Sequence, residues 1–488
     1  MTISYFSFVS IPALAALACP FVAKLKPRYA DMISGSALLA GLITAVSYIW
    51  EFHQPVMAAL PPADLTFNLE VFRSDIFSLL MIIAIYLVAA AVAFFSIFHR
   101  RQDSRAGIWQ GLLLMSAAAM SGIVSARDFF TLYVFVEVAA VAAYALIAFD
   151  DTAEGIEGAL KYFFMSAPAS AFILLGVALL MLYTGGVSFA HLSRAASASA
   201  ANETAVVVIL GVMACGFMVK AGLVPFHGWT PDAYQSAPAP VSALLSGIVT
   251  KAAGVYALVR IAMALKSMPG NVAAAAACNG LMFFGGLSIV VGALGALRQR
   301  DFKRMLAFSS ISQVGYIVLA AGAGTPLAMA GAIFHLFNHT TFKASLFLNS
   351  AAIEKQTGTT DMKSLSGLET RMPWTALTSS IAMLSTAGIP PLSGFWSKAI
   401  IIFALWKAGF HGYAVIATLA SVLTLAYFIV MQSRVFFGKT PEHLLQVREA
   451  EFGMLVPVIV FSAIIVALGL YFPILFTGMA WPAARTVL

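Results

Sequence analysis

Runs of about 20 apolar residues, each long enough to cross a bilayer as an α-helix, follow one another along almost the whole chain. The runs are continuous rather than alternating and are rich in Ala, Leu, Ile and Met. That fits helices and not the two-residue period of a membrane β-barrel. Only 10% of the 488 residues are charged, against roughly 25% in a soluble domain. A water-soluble fold is excluded. The reading is an all-α polytopic membrane protein with about fourteen spans. They lie at roughly 3–23, 32–50, 76–98, 108–125, 128–148, 160–183, 204–226, 239–262, 273–297, 304–322, 327–352, 374–405, 412–437 and 453–480.

The formal net charge of +7 would suit a nucleic-acid partner, but its placement points elsewhere. Of the 28 Lys and Arg, 24 fall in connections or at span ends. With the N-terminus outside, 17 of these are cytoplasmic, Arg101 among them, and 7 external, Arg73 and Arg194 among them. This is the bias of the positive-inside rule. The basic excess is a topology signal, the bilayer is the partner it implies, and an even number of spans puts both termini outside. Cys19, Cys215 and Cys278 stand alone in apolar runs, with no metal or haem spacing, and read as small buried residues.

The four remaining cations, Lys220, Lys251, Lys343 and Lys398, lie inside spans, and Glu137 is the one acidic residue deep in a span. Each charge costs about 2.5–3.5 kcal/mol at mid-membrane on insertion scales. Snorkelling serves a lysine near a span end, but Lys251 and Lys343 are far from one, and a single glutamate does not neutralise four lysines. Proton handling explains the set better. A buried lysine can be neutral near pH 7, so it can take a proton from one side and release it to the other. Glu137 is the candidate partner that would hold the proton when close and free it when apart.

The stretch GAIFHLFNHTTFKASLFLNS (331–350) places His335, His339 and Lys343 at i, i+4 and i+8, one polar stripe on a helix. Two histidines at i, i+4 also suit a metal, though no Cys or carboxylate lies near in sequence. Helix-gluing hydrogen bonds are the plainer alternative, and a proton wire the favoured one. Helix breaks complete the pattern. Gly222 and Pro225 follow Lys220, and Gly388, Pro390 and Pro391 precede Lys398. In a membrane, broken helices are tolerated where backbone lines a polar cavity. The segments 221–225 and 387–391 read alike and lie about five spans apart, as in an inverted-repeat transporter.

These residues resemble the antiporter-like membrane subunits shared by respiratory complex I, membrane-bound [NiFe] hydrogenases and Mrp-type cation/proton antiporters. The motifs that carry the resemblance are LVPFHGWTPDAYQSAPAPVSALLSGIVTKAAGVYALVR (223–260), MLAFSSISQVGY (305–316), the His335/His339/Lys343 helix and STAGIPPLSGFWSK (385–398). The resemblance implies two inverted five-helix repeats, helices 4–8 and 9–13, with helices 7 and 12 broken. It divides the chain into a three-helix segment (1–107), a first repeat (108–262), a second repeat (273–437) and a C-terminal helix (438–488). It implies that Glu137 pairs with Lys220, that Lys251 is the connecting lysine, that His335, His339 and Lys343 form a relay, and that Lys398 is the exit residue.

The chain carries no long C-terminal lateral helix, and Lys398 stands where the middle complex I subunit has a glutamate. Both features suit the Mrp D-type or hydrogenase-type branch, while 421–439 is closer to the hydrogenase and complex I branch. The expectation is a proton-translocating, or sodium–proton exchanging, subunit of a redox-driven complex, with a D-type Mrp subunit as the alternative. A solute permease acting alone is a third class, for which no substrate-sized polar cluster is present. No catalytic residue, metal site or cofactor is read in this chain. Iron–sulfur or nickel–iron centres would belong to partner subunits in the plasma (inner) membrane of a prokaryote.

Overall fold

A computed structural model of the chain describes residues 6–52, 75–100, 103–189, 191, 192, 200–266, 268 and 270–485. Arg73, Arg101 and Arg194 of the charge pattern lie outside the described residues. The described chain is helical throughout, with two isolated β-bridges and no strand. Its helices are α1 (Ser7–Ala23), α2 (Pro27–Phe52), α3 (Ile76–His99), α4 (Ala106–Ser125), α5 (Phe129–Ile147), α6 (Ala153–Thr184), α7 (Ala200–Ala221) and α8 (Trp229–Ser236). They continue with α9 (Ala239–Lys266), α10 (Val272–Leu297), α11 (Phe302–Ala323), α12 (Pro326–Thr357), α13 (Pro373–Ala387), α14 (Ser393–Lys407), α15 (His411–Val435), α16 (Phe452–Leu470) and α17 (Phe472–Ala484).

Eleven of these helices are long and apolar enough to cross a membrane, against the fourteen spans read from sequence. The shortfall has physical causes. Helix α1 is only 17 residues long. The span expected at 374–405 is two 15-residue helices, α13 and α14, separated by the Gly388–Leu392 break. Helix α12 has 32 residues but is too polar to stand among the eleven. Its middle is enclosed by protein. It packs against α3, α9, α11, α13, α14, α16 and α17, and almost every residue from Ala328 to Ile353 is buried. Polar side chains at membrane depth are tolerable there because protein rather than lipid surrounds them.

Both sequence breaks are real breaks. Helix α7 stops at Gly222 (φ 70°) and α13 at Gly388 (φ 87°), each in the left-handed region that glycine adopts without penalty. Val224–Pro225 and Pro390–Pro391 are cis peptide bonds. Around the breaks the two halves use matching local devices. Thr152 caps α6 and Thr325 caps α12. Both helices have 32 residues and end at a left-handed glycine, Gly185 and Gly358. The offset is 173 residues at both ends (152 to 325, 185 to 358). The bridges Asp128–Ser188 and Asp301–Asp361 share it (128 to 301, 188 to 361).

Close packing fixes the neighbourhood of the buried charges. A Cβ on Gly254 of α9 would lie 2.3 Å from the Ala221 backbone nitrogen, so only glycine lets α9 rest on the end of α7, beside Lys220. Of the three cysteines, Cys19 and Cys278 are buried as expected. Cys215 is exposed, a correction that follows from its place on the outer face of α7.

Candidate proton-conducting site

Lys220 stands in the last turn of α7, where a helix leaves carbonyls unpaired and favours a positive charge. Its Nζ donates to Glu137 Oε1 of α5 at 3.1 Å and to Ser166 Oγ of α6 at 2.5 Å. Ser170 Oγ, one turn on, donates to the same Glu137 oxygen at 2.5 Å. The pair expected from sequence is therefore in contact. The Lys220 side chain is 0% exposed and that of Glu137 is 35% exposed, so the carboxylate opens onto the outer flank of the chain.

Lys251 lies where α9 loosens into two π-helical stretches, Leu245–Val249 and Lys251–Tyr256. Such stretches recur at functional sites because they displace the regular ladder. Lys251 is buried, and its Nζ donates to Thr250 Oγ1 at 2.9 Å. Thr250 Oγ1 is in turn 3.1 Å from Tyr234 OH of α8.

The stripe on α12 is fully buried. Lys343 Nζ donates to Ser309 Oγ and to the Leu306 carbonyl of α11, the latter at 3.2 Å. His335 Nδ1 is 2.8 Å from Ser397 Oγ of α14. Neither ring nitrogen of His339 has a hydrogen-bond partner among the described residues, nor has His335 Nε2. Lys398 Nζ donates to the Thr386 carbonyl at the end of α13 at 2.7 Å, again at the negative end of a broken helix. It also lies 5.0 Å from the Tyr316 ring centre, whose other neighbour is His335 at 5.9 Å.

All seven charged and histidine residues singled out from sequence are thus in the protein interior or at its edge. Glu137 and Lys220 touch directly, and His335 and Lys398 meet through Ser397 and Tyr316. Lys251 and Lys343 hold separate hydroxyl partners. The sequence reading missed those hydroxyls: Ser166, Ser170, Thr250, Ser309 and Ser397. A signal for two of them existed. Ser166 and Ser170 are 173 residues before His339 and Lys343, so aligning α6 on α12 puts the serines that hold Glu137 and Lys220 opposite the relay itself.

Comparison with known proteins decides the class. The profile described as NADH:quinone oxidoreductase/Mrp antiporter, transmembrane, matches residues 126–424. The chain belongs to this family. NADH-quinone oxidoreductase subunit N of Desulforudis audaxviator is 32% identical over 480 residues, covering 95% of this chain and 94% of that protein. The D-type subunit of the Na(+)/H(+) antiporter of Alkalihalophilus pseudofirmus is 32% identical, with 90% and 88% covered. A chain of the membrane-bound sulfane sulfur reductase, an archaeal respiratory membrane complex, superposes with a TM-score of 0.88 at 28% identity, covering 99% of this chain and 98% of that one. As a member of the NADH:quinone oxidoreductase/Mrp antiporter family, the chain is a polytopic, proton-conducting antiporter-like subunit with lysines and histidines buried in its core.

Proposed function

We propose that protons cross the membrane along Glu137, Lys220, Lys251, His339, Lys343, His335 and Lys398, in a subunit of a redox-driven complex of the complex I or membrane-bound hydrogenase type. The observation that carries this reading is the set of four buried lysines, of which only Lys220 has a carboxylate partner among the described residues, each holding a neutral acceptor within the protein. A static structural role would pair such charges or remove them. Hydroxyls and carbonyls instead let each amine exist with or without its extra proton. The buried, unpartnered nitrogens of His335 and His339 suit a hydrated stretch between the hydrogen-bonded stops. In this reading α7 with α8 and α13 with α14 are the broken seventh and twelfth of fourteen spans. The 173-residue offset supports two equivalent five-helix units, 108–262 and 273–437, inverted with respect to each other between 1–107 and 438–488. Both termini are outside a prokaryotic plasma membrane. Other membrane subunits are the partners, and redox centres, where present, sit in them.

A second reading, the D-type member of an Mrp-type sodium–proton antiporter, is favoured by the near-full-length similarity to the Alkalihalophilus protein. One purification separates the two. The tagged chain, withdrawn from its native membrane, should bring with it subunits that show iron–sulfur or nickel–iron signals by electron paramagnetic resonance. Recovery of a stable assembly free of redox centres would favour the antiporter reading. The path itself is tested by proton movement in sealed vesicles. Lys251→Ala should remove it with little loss of thermal stability, and full transport by that variant would sink the path.

A further inference from the structure

Lys251 forms no ion pair with any described residue. The charged and titratable groups within its electrostatic reach are His339 and Lys343 of α12, and the Lys220 backbone abuts Gly254 of its own helix. With no carboxylate to answer its proton, the response falls to hydroxyls. Three oxygens are grouped beside it. The Leu245 carbonyl accepts the Thr250 backbone N–H in the π-helical turn, which leaves one lone pair free. Two hydroxyls compete for that lone pair: Thr250 Oγ1 at 3.1 Å and Tyr234 OH at 3.2 Å. The two hydroxyls are themselves 3.1 Å apart.

We propose that Leu245 O, Thr250 and Tyr234 form a two-state hydroxyl switch that serves both protonation states of Lys251, with Tyr234 as its positioning residue. When Lys251 carries its proton, the ammonium donates to Thr250 Oγ1. Thr250 then gives its own hydrogen to Leu245 O, and Tyr234 donates to the remaining lone pair of Thr250. When Lys251 has lost the proton, its amine is an acceptor. The Thr250 hydrogen turns to Nζ, and Tyr234 swings its hydrogen onto Leu245 O. The second lone pair of the Leu245 carbonyl has a donor in both arrangements, and the change needs only two hydroxyl rotations. Without Tyr234 the carbonyl is left short of a donor in the neutral state alone, so proton release from Lys251 is the step that slows.

The tyrosine is held for this by packing and not by its hydroxyl. Its buried ring meets Trp229 edge-on at 6.3 Å and Phe347 at 5.8 Å. Its carbonyl accepts Ser242 Oγ at 2.7 Å. Removing the hydroxyl leaves the ring where it is.

The switch rests on Lys251 being a stop on the proposed path, so the test carries Lys251→Ala beside it. Proton transport is measured in sealed native vesicles containing the full assembly and divided by the amount of assembled chain. Tyr234→Phe and Thr250→Val are each expected to slow transport about tenfold, the scale of one buried hydroxyl. Thr250→Ser, which keeps the hydroxyl, is expected to restore it, a rescue that a merely space-filling threonine would not show. If Lys251→Ala abolishes transport while Tyr234→Phe or Thr250→Val runs at the native rate, the switch is wrong and the path stands. Equal slowing by Thr250→Ser and Thr250→Val also overturns the switch. If Lys251→Ala itself transports normally, the path is wrong as well.

Discussion

Lys220 and Glu137 are joined at 3.1 Å, yet one is sealed in the protein and the other is open at its flank. The pair spans the boundary between interior and surroundings, and Ser166 and Ser170 of α6 fasten each member from the same helix face.

Breaking that pair tests its role. Glu137→Gln and Lys220→Ala are each expected to reduce proton transport to below about a tenth of native, since one member without the other leaves no site for transfer. Assembly should persist in Glu137→Gln, because the partly exposed glutamate is not a core residue, and dividing by the amount of assembled chain corrects the rate of Lys220→Ala, whose side chain is buried. Native rates in sealed vesicles from either variant would remove the pair from the path.

Gly254 separates geometry from charge. Gly254→Ala adds one methyl group against the backbone of Ala221 and Lys220 and changes no titratable side chain. Overpacking of this kind costs about 1–3 kcal/mol and should push α9 away from α7. A lowered melting temperature together with slowed transport is expected, and thermal unfolding of the purified variant measures the first. An unchanged melting temperature would mean that the two helices are not in contact there.

Ser397 is the hydroxyl between His335 and the Lys398 segment. Ser397→Ala deletes that hydroxyl and keeps His335 and Lys398. Transport about tenfold slower is expected, whereas Ser397→Thr, which retains the hydroxyl, should stay near native. Equal rates for the alanine and native chains would remove Ser397 from the route.

At the far end of α3, Asp75 caps the helix and pairs with Arg260 of α9 at 2.6 Å. Burial pushes the Asp75 carboxyl up, but the Arg260 guanidinium and the Ser78 N–H together hold it below the usual carboxylate range. A depressed carboxyl stabilises the fold above its unfolded value of about 3.9, and the contribution is lost as pH falls through the lower folded value. The melting temperature of the native chain should therefore drop more steeply below about pH 4 than that of Asp75→Asn. Parallel curves would show that the pair contributes nothing to stability.

Much of this was legible in the sequence. Cations in apolar runs stand out because each violates the composition around it, so Lys220, Lys251, Lys343 and Lys398 needed no structure to be found. Gly222 and Gly388 were legible as breaks because proline followed closely. What the runs hid was the difference between facing protein and facing lipid. Glu137 read as deep, and it is deep along the helix while lying open across it. The partner hydroxyls were hidden because serine and threonine are unremarkable in membrane helices. The polar stripe of α12 stood out in the sequence, but its tolerance at membrane depth makes sense only once its seven neighbours are seen.

The enclosure of α12 has a consequence for how the protein is made. Its two histidines, lysine and run of amides and hydroxyls give it no comfortable place in lipid by itself, since a single charged residue at mid-span already costs about 2.5–3.5 kcal/mol on insertion. The helix has to be accepted into the bilayer in the company of neighbours that shield it, α11 ahead of it and α13 behind. Biogenesis and the proposed transport then draw on the same residues, and the polarity that suits α12 to the proposed path also makes its insertion depend on the order in which its neighbours arrive.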